Sequence, residues 1–177
     1  MLKYLGVIAA LLSAQVMASN SAFTNGPVFK DYGQNIVVKG GLVNPEQQKF
    51  KVVFDIADAA KIGEVNRQFN TVARFINMHV RAGVAKENIE VAMVVHGKAG
   101  FDLLQNKIFK QKFGGANSNE QLIKLLLQEK VEIYLCGQSA SALGIENKQL
   151  IDGVTLSLSA MTANALLQQR GFTLNPF

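Results

Sequence analysis

The chain has 177 residues, 49% of them hydrophobic and 18% charged, with only three prolines. That composition belongs to one compact domain and excludes a disordered, collagen-like or coiled-coil chain. A single cysteine, Cys136, excludes an intrachain disulfide and a four-thiolate zinc site, so an apolar core has to hold the fold together. The net charge of +5 gathers partly in Lys107, Lys110 and Lys112, a stretch read as a solvated loop. It lacks the dense basic face interleaved with aromatics that nucleic acid requires, and no nucleic-acid partner is expected.

Residues 1–18 have the three parts of a secretory signal peptide: Lys3, the apolar run 4–12, and Val16-Met17-Ala18 before a cleavage site expected after Ala18. The apolar run is far shorter than the ~20 residues that cross a bilayer, and no cysteine follows it to accept a lipid. An exported, soluble protein with no membrane span in the mature chain is expected, periplasmic if the source is Gram-negative. Residues 19–48 carry Gly26-Pro27, Gly33, Gly40-Gly41 and Asn44-Pro45, a density of breakers that predicts an extended N-terminal arm.

The pattern then changes to alternating strands and helices. Residues 51–57 (KVVFDIA) predict a buried strand, and Val65, Phe69, Val72, Ile76 and Val80 form one face of a helix over 64–82, ended by Gly83. His79 lies on the side of that helix with Val72 and Ile76 and is expected in the core or a subunit contact. The near-continuous apolar runs 89–95 (IEVAMVV) and 131–135 (VEIYL) predict central parallel strands. Between them, Ser118 and Gln121 have capping-box spacing at the start of a helix bearing Leu122, Ile123, Leu125 and Leu126. A strand over 154–158, a helix over 159–170 stopped by Gly171, and an edge strand over 172–174 complete the series. Such alternation demands right-handed crossovers and a parallel sheet with helices on both faces, a three-layer α/β/α domain over 49–177.

Ligands of an open parallel sheet sit at the carboxyl ends of its strands, where helix N-termini present unpaired N–H groups. His96 ends the second strand and Cys136 the third, each followed at once by glycine. A helix starting near Ser139 would turn its N-terminus toward the Cys136 sulfur and favour the thiolate. Cys136 is either that reactive thiolate, with His96 polarising or deprotonating it and Lys98 lending charge, or an inert residue packed under the following helix. With two histidines, one cysteine and no clustered carboxylates, no metal site is expected. The stretch Gly137–Ser141 (GQSAS) has serine where a nucleophile elbow needs its second glycine, which argues against a serine hydrolase. Neither a P-loop nor a dinucleotide fingerprint is present, so no cofactor is expected.

The segments 70–84 (NTVARFINMHVRAGV), 91–99 (VAMVVHGKA), 131–140 (VEIYLCGQSA) and 153–163 (GVTLSLSAMTA) together resemble the DsrE/DsrF-like family over about residues 50–177, and 26–38 (GPVFKDYGQNIVV) resembles the arm of its exported members. The resemblance implies an α/β/α fold with about five parallel strands, assembled as a trimer or hexamer. It also implies sulfur relay, in which a cysteine matching Cys136 carries sulfane sulfur as a persulfide and exchanges it with thiol-bearing donor or acceptor proteins. His96 would assist, and Gly97, Lys98, Gly137, Gln138 and Ser139 would line the site. The alternative is a non-catalytic oligomeric module binding a small ligand between His96-Gly97 and Cys136-Gly137, with a structural cysteine.

Overall fold

Strand β1 (Phe50–Ile56), helix α1 (Arg67–Arg81), strand β2 (Ile89–Val95), helices α2 (Asn106–Phe113) and α3 (Glu120–Gln128), strand β3 (Glu132–Cys136), helix α4 (Gly137–Leu143), strand β4 (Thr155–Ser157), helix α5 (Ala160–Gln169) and strand β5 (Thr173–Asn175) follow one another along the chain. These come from a computed structural model that describes residues 23–176, so the signal peptide expected over 1–18 lies outside the described residues. The strands form one sheet in the order β4-β3-β2-β1-β5, every neighbouring pair parallel. Placing β2 and β3 side by side in the middle brings the ends carrying His96 and Cys136 together.

Alternation along the central strands sorts their side chains onto two unequal faces. Val52, Phe54, Ile56, Val91, Met93, Val95, Ile133 and Leu135 join the larger cluster with residues of α1, α2, α3 and α4. Val53, Ala92 and Val94 face the other way, onto Ala163 and Leu167 of α5 and Phe172. Of the predicted face of α1, Phe69, Val72 and Ile76 are at 4% exposure or less and Val80 is half-buried, while Val65 precedes the helix; Ala73 adds to the buried side. Burying a large apolar side chain of this kind contributes about 1.5–3 kcal/mol, which is what drives α1 onto the sheet.

Three local expectations are corrected. Residues 106–113 form α2, not a loop, because Phe109 is buried and Phe113 packs edge-on against Phe101; the lysines stay on its exposed side. Helix α1 starts at Arg67, not residue 64, because the Asn66 side chain accepts from Gln68 N–H and Phe69 N–H and so fixes the first turn there. Helix α3 has no Ser118–Gln121 capping box: Asn119 precedes its first turn, and its side chain instead accepts the Asn66 N–H at 2.6 Å.

Asn66 and Asn119 belong to a buried polar cluster that ties together the loops at the carboxyl end of the sheet. Asp102, 2% exposed, accepts from Ala60 N–H at 2.8 Å and Asn66 Nδ2 at 2.7 Å. Burial pushes the Asp102 carboxyl up from its ordinary range, against the lowering effect of the hydrogen bonds from Asn66 and Ala60. Asp102 lies in the 3-10 turn Gly97–Leu103 that follows His96, so this cluster fixes the His96 turn against the loop after β1.

Residues 23–48 run as a mostly irregular arm with a single bridge between Thr24 and Asn35 and a 3-10 turn at Pro45–Gln47. Helix α1 grips it with three polar side chains. Asn77, fully buried, accepts from Val28 N–H and Phe29 N–H and donates to the carbonyls of Phe29, Tyr32 and Gly33. Asn70 accepts the Gly33 N–H, and Arg81 donates to Thr24 Oγ1 and to the carbonyls of Asn25, Gly26 and Asn35. At Gly33, with φ +67°, a Cβ would come within 2.5 Å of the α1 backbone, so only glycine allows this approach.

Candidate functional site

Cys136 closes β3 and caps α4, so its side chain stands where a strand becomes a helix. Its sulfur accepts the Ser139 N–H at 3.5 Å. Helix α5 begins on the same side, with Ser159 as its cap and Ala160 as its first residue. Burial pushes the Cys136 thiol up, but the Ser139 hydroxyl and the N–H groups of Ser139, Ala160 and Gln138 outweigh it, and the thiol lies below its ordinary value. Those donors come from the first residues of two helices, α4 and α5. The residue is nonetheless only 6% exposed.

Gly137 makes the convergence of those helices sterically feasible. A Cβ there would lie 2.6 Å from the Ser157 carbonyl and 3.2 Å from that of Leu158, where β4 turns into α5. Cys136 and Ser157 are register partners, so the first turn of α4 passes directly over the end of the edge strand.

His96 follows β2 and lies one position beyond the Val95–Leu135 pair, which makes Cys136 its lateral neighbour on β3. Both residues continue the face that packs against α5. The imidazole nevertheless turns to the opposite neighbour: Nε2 meets Asp55 Oδ2 of β1 at 2.9 Å. Asn164 Nδ2 of α5 donates to the other Asp55 oxygen at 2.8 Å. The link between the His96 and Cys136 turns runs through Ser139, whose hydroxyl accepts the Gly97 N–H at 2.9 Å.

Among the other residues named from sequence, Gly97 and Gly137 are half-buried at the two turns. Gln138 is exposed and donates to the Leu158 carbonyl at 3.4 Å, and Lys98 is exposed. His79 lies far from this end, its ring between Phe50 and Phe75 and its Nδ1 2.7 Å from the Phe75 carbonyl; burial lowers its pKa against the effect of that hydrogen bond. Sequence reasoning missed Asp55 and Asn164, and, though it placed the start of α5 at residue 159, it missed the part that Ala160 N–H plays at the Cys136 sulfur. A signal existed for Asp55, a carboxylate set inside the apolar run KVVFDIA. Nothing in the chain order announces that residue 164 returns to it.

A hollow of about 320 Å³ beside the site is lined by Tyr134, Ser157, Ala163, Leu166 and Arg170. A larger one, about 590 Å³, lies over the start of α1 between Asp58, Lys61, Arg67 and Arg74, and includes neither His96 nor Cys136. Among the described residues no group of three His, Cys, Asp or Glu side chains could hold a metal, and no helix is long and apolar enough to cross a membrane.

The model of the DsrE/DsrF-like family matches residues 49–176. The chain belongs to that family. The DsrE/DsrF-like fold is also found in two solved structures. One is a protein described as of unknown function, MTH1491 from Methanobacterium thermoautotrophicum, with a TM-score of 0.51, 18% identity, and 73% of this chain and 100% of that one covered. The other is the ychN protein of E. coli, with a TM-score of 0.52, 21% identity, and coverage of 72% and 100%. At these identities the likeness shows the fold alone. No curated protein matches the chain. DsrE/DsrF-like proteins are generally linked to sulfur relay, and in this member the five-stranded parallel sheet puts Cys136 beside the strand that carries His96.

Proposed function

We propose that this is a periplasmic sulfur-handling protein in which Cys136 carries sulfane sulfur as a persulfide. The observation that carries the proposal is the convergence of N–H groups from α4 and α5 on the Cys136 sulfur, which favours the thiolate that must attack. The thiolate attacks the outer sulfur of a donor persulfide, the donor's S–S bond breaks, and the donor leaves as its own thiolate. Cys136 then holds the sulfur until an acceptor thiol removes it. This is sulfurtransferase-like chemistry that needs no metal or cofactor.

Export to the periplasm rests on the signal-peptide pattern of residues 1–18. Self-assembly, as a trimer or hexamer, is supported by the apolar surface around the site. Leu158 is 72% exposed, Met161 80% and Leu166 54%, and large apolar side chains gathered this way mark contact surfaces. Family members are often oligomeric. Sedimentation of the mature protein beside Met161→Glu tests this: the variant is expected to dissociate, and an unchanged mass would move the interface elsewhere.

The 6% exposure of Cys136 favours a second reading, a small-ligand module with a structural cysteine. Intact mass spectrometry of the reduced mature protein, before and after polysulfide or thiosulfate, separates the two, with Cys136→Ser as control. Gain of one sulfur atom that requires Cys136 and is reversed by a reductant supports the carrier. No adduct, with a thiol that resists alkylation until denatured, replaces it by the binding module.

A further inference from the structure

N–H groups of two helix starts hold the Cys136 thiol below its ordinary value, against the effect of burial. A thiol arriving to collect the sulfur brings no such surroundings, and it must lose its proton before it attacks. We propose that Asp55 is the positioning residue for that step: it holds the His96 imidazole so that Nδ1 takes the proton of the acceptor thiol. The proposal rests on the sulfur-carrier reading and extends it to the discharge half of the cycle.

The geometry is specific. An ionised carboxylate only accepts hydrogen bonds, so the ring nitrogen facing Asp55 Oδ2 at 2.9 Å, Nε2, is the one that carries hydrogen. In the neutral ring that leaves the lone pair on Nδ1. Asn164 Nδ2 holds the second Asp55 oxygen at 2.8 Å and keeps the carboxylate from turning away. The backbone on either side of the ring is fixed too: His96 N–H donates to the Ile56 carbonyl at 2.8 Å, and Gly97 N–H to Ser139 Oγ at 2.9 Å. The His96 and Asp55 side chains are 32% and 36% exposed, open to an arriving thiol where Cys136 itself is covered. An exposed pair of this kind contributes little to stability, so folding gives no strong reason for a carboxylate in this strand.

The groups around His96 leave Asp55 as its one charged partner shown. Strand β1 presents Asp55, whose other oxygen takes the uncharged Asn164 of α5; β3 carries Cys136 on the other side of β2, and α4 presents Ser139 to the Gly97 N–H. Lys98, next to it but one, is exposed. In the step itself the acceptor thiol gives its proton to Nδ1, and its sulfur attacks the outer sulfur of the Cys136 persulfide. The S–S bond to Cys136 breaks, Cys136 leaves as the thiolate its N–H donors stabilise, and the acceptor departs as a persulfide. His96 then returns the proton to solvent.

The test is single-turnover discharge of polysulfide-loaded protein to glutathione, from about pH 5.5 to 8.5, with release expressed per loaded Cys136 as counted by intact mass. Asp55→Asn, whose amide donates to Nε2 and moves the ring hydrogen to Nδ1, is expected to slow release near neutral pH by ~100-fold, the lower end of what a general base contributes. The deficit should close at alkaline pH, where glutathione ionises unaided. His96→Gln should show the same deficit, and the double variant no more than either single one. An Asp55→Asn profile that follows the wild type at every pH, or a double variant in which the two losses multiply, overturns the proposal while leaving the carrier intact. A wild type that takes up no sulfur overturns both.

Discussion

The Ser139 hydroxyl accepts the Gly97 N–H at 2.9 Å, and through that one bond the turn after β2 is tied to the turn after β3. The same residue gives its N–H to the Cys136 sulfur at 3.5 Å, and its hydroxyl helps hold the thiol below its ordinary value. Ser139→Ala therefore removes one thiolate donor and leaves the Gly97 N–H without its partner. Since hydrogen bonds to charged groups contribute about 1.5–3 kcal/mol, of which screening and relaxation keep part, iodoacetamide alkylation of Cys136 near neutral pH should slow by ~3–10-fold. The alkylation profile should move to higher pH. An unmoved profile would show that the backbone N–H groups alone hold the thiolate.

Gly137 is where α4 passes over the end of β4, and a Cβ there meets the Ser157 carbonyl at 2.6 Å. Backbone cannot retreat as a flexible side chain can, so Gly137→Ala has to separate α4 from the start of α5. The expected cost is ~1–3 kcal/mol, as for other overpacked positions, read as a lowered urea midpoint. The separation also takes the Ala160 N–H away from the sulfur, so sulfur loading should fall more than stability does. Full loading in a destabilised variant would show that α5 does not contribute.

Asn77 is fully buried in α1 and makes five hydrogen bonds to the arm's backbone. Asn77→Leu fills similar space but leaves the Val28 and Phe29 N–H groups facing an apolar side chain, which should cost ~2–4 kcal/mol. Because these contacts join the arm and not the strand ends, Cys136 alkylation in the folded variant should match the wild type. Proteolysis should cut first within residues 23–48. Protection of the arm equal to the wild type's would mean Arg81 and Asn70 suffice to hold it.

Periodicity made the sheet and α1 legible because the central strands β1, β2 and β3 are buried along most of their length and Phe69, Val72 and Ile76 recur on one helical face. The α2 error came from weighing the charge of Lys107, Lys110 and Lys112 over Phe109 and Phe113, whose burial depends on Phe101 across the loop. The missing α3 box has a similar cause: Asn119 is drawn to Asn66, 53 positions away in sequence, and no local pattern records that pull. His96 and Cys136 stand out by rarity and by the glycines after them. Asp55 and Asn164 are 109 positions apart, and only the β3-β2-β1 strand order and the return of α5 place them at one end of the sheet.

Asp102 offers a pH test of the cluster that fixes the His96 turn. Burial raises its folded-state pKa above the unfolded carboxylate value, so the folded chain holds that proton more tightly than the unfolded one. By linkage, Asp102 then makes stability fall as pH rises from the unfolded carboxylate range through its folded titration, and the cost stays constant above it. Asp102→Asn can put its amide oxygen where Oδ2 accepts from Ala60 N–H and Asn66 Nδ2, keeping both bonds without the charge. The urea midpoint of the variant should approach the wild type's near ~pH 4 and exceed it increasingly as pH rises, then level off. Asp102→Ala leaves both donors unsatisfied and should cost ~2–4 kcal/mol at acid pH, a deficit that narrows as pH rises because the variant has no carboxyl to titrate. It should also loosen the Gly97–Leu103 turn, seen as faster amide exchange there. A gap between Asn variant and wild type that stays constant from acid to neutral pH would mean the buried carboxyl does not titrate in this range, and that its hydrogen bonds, not its charge, govern the turn.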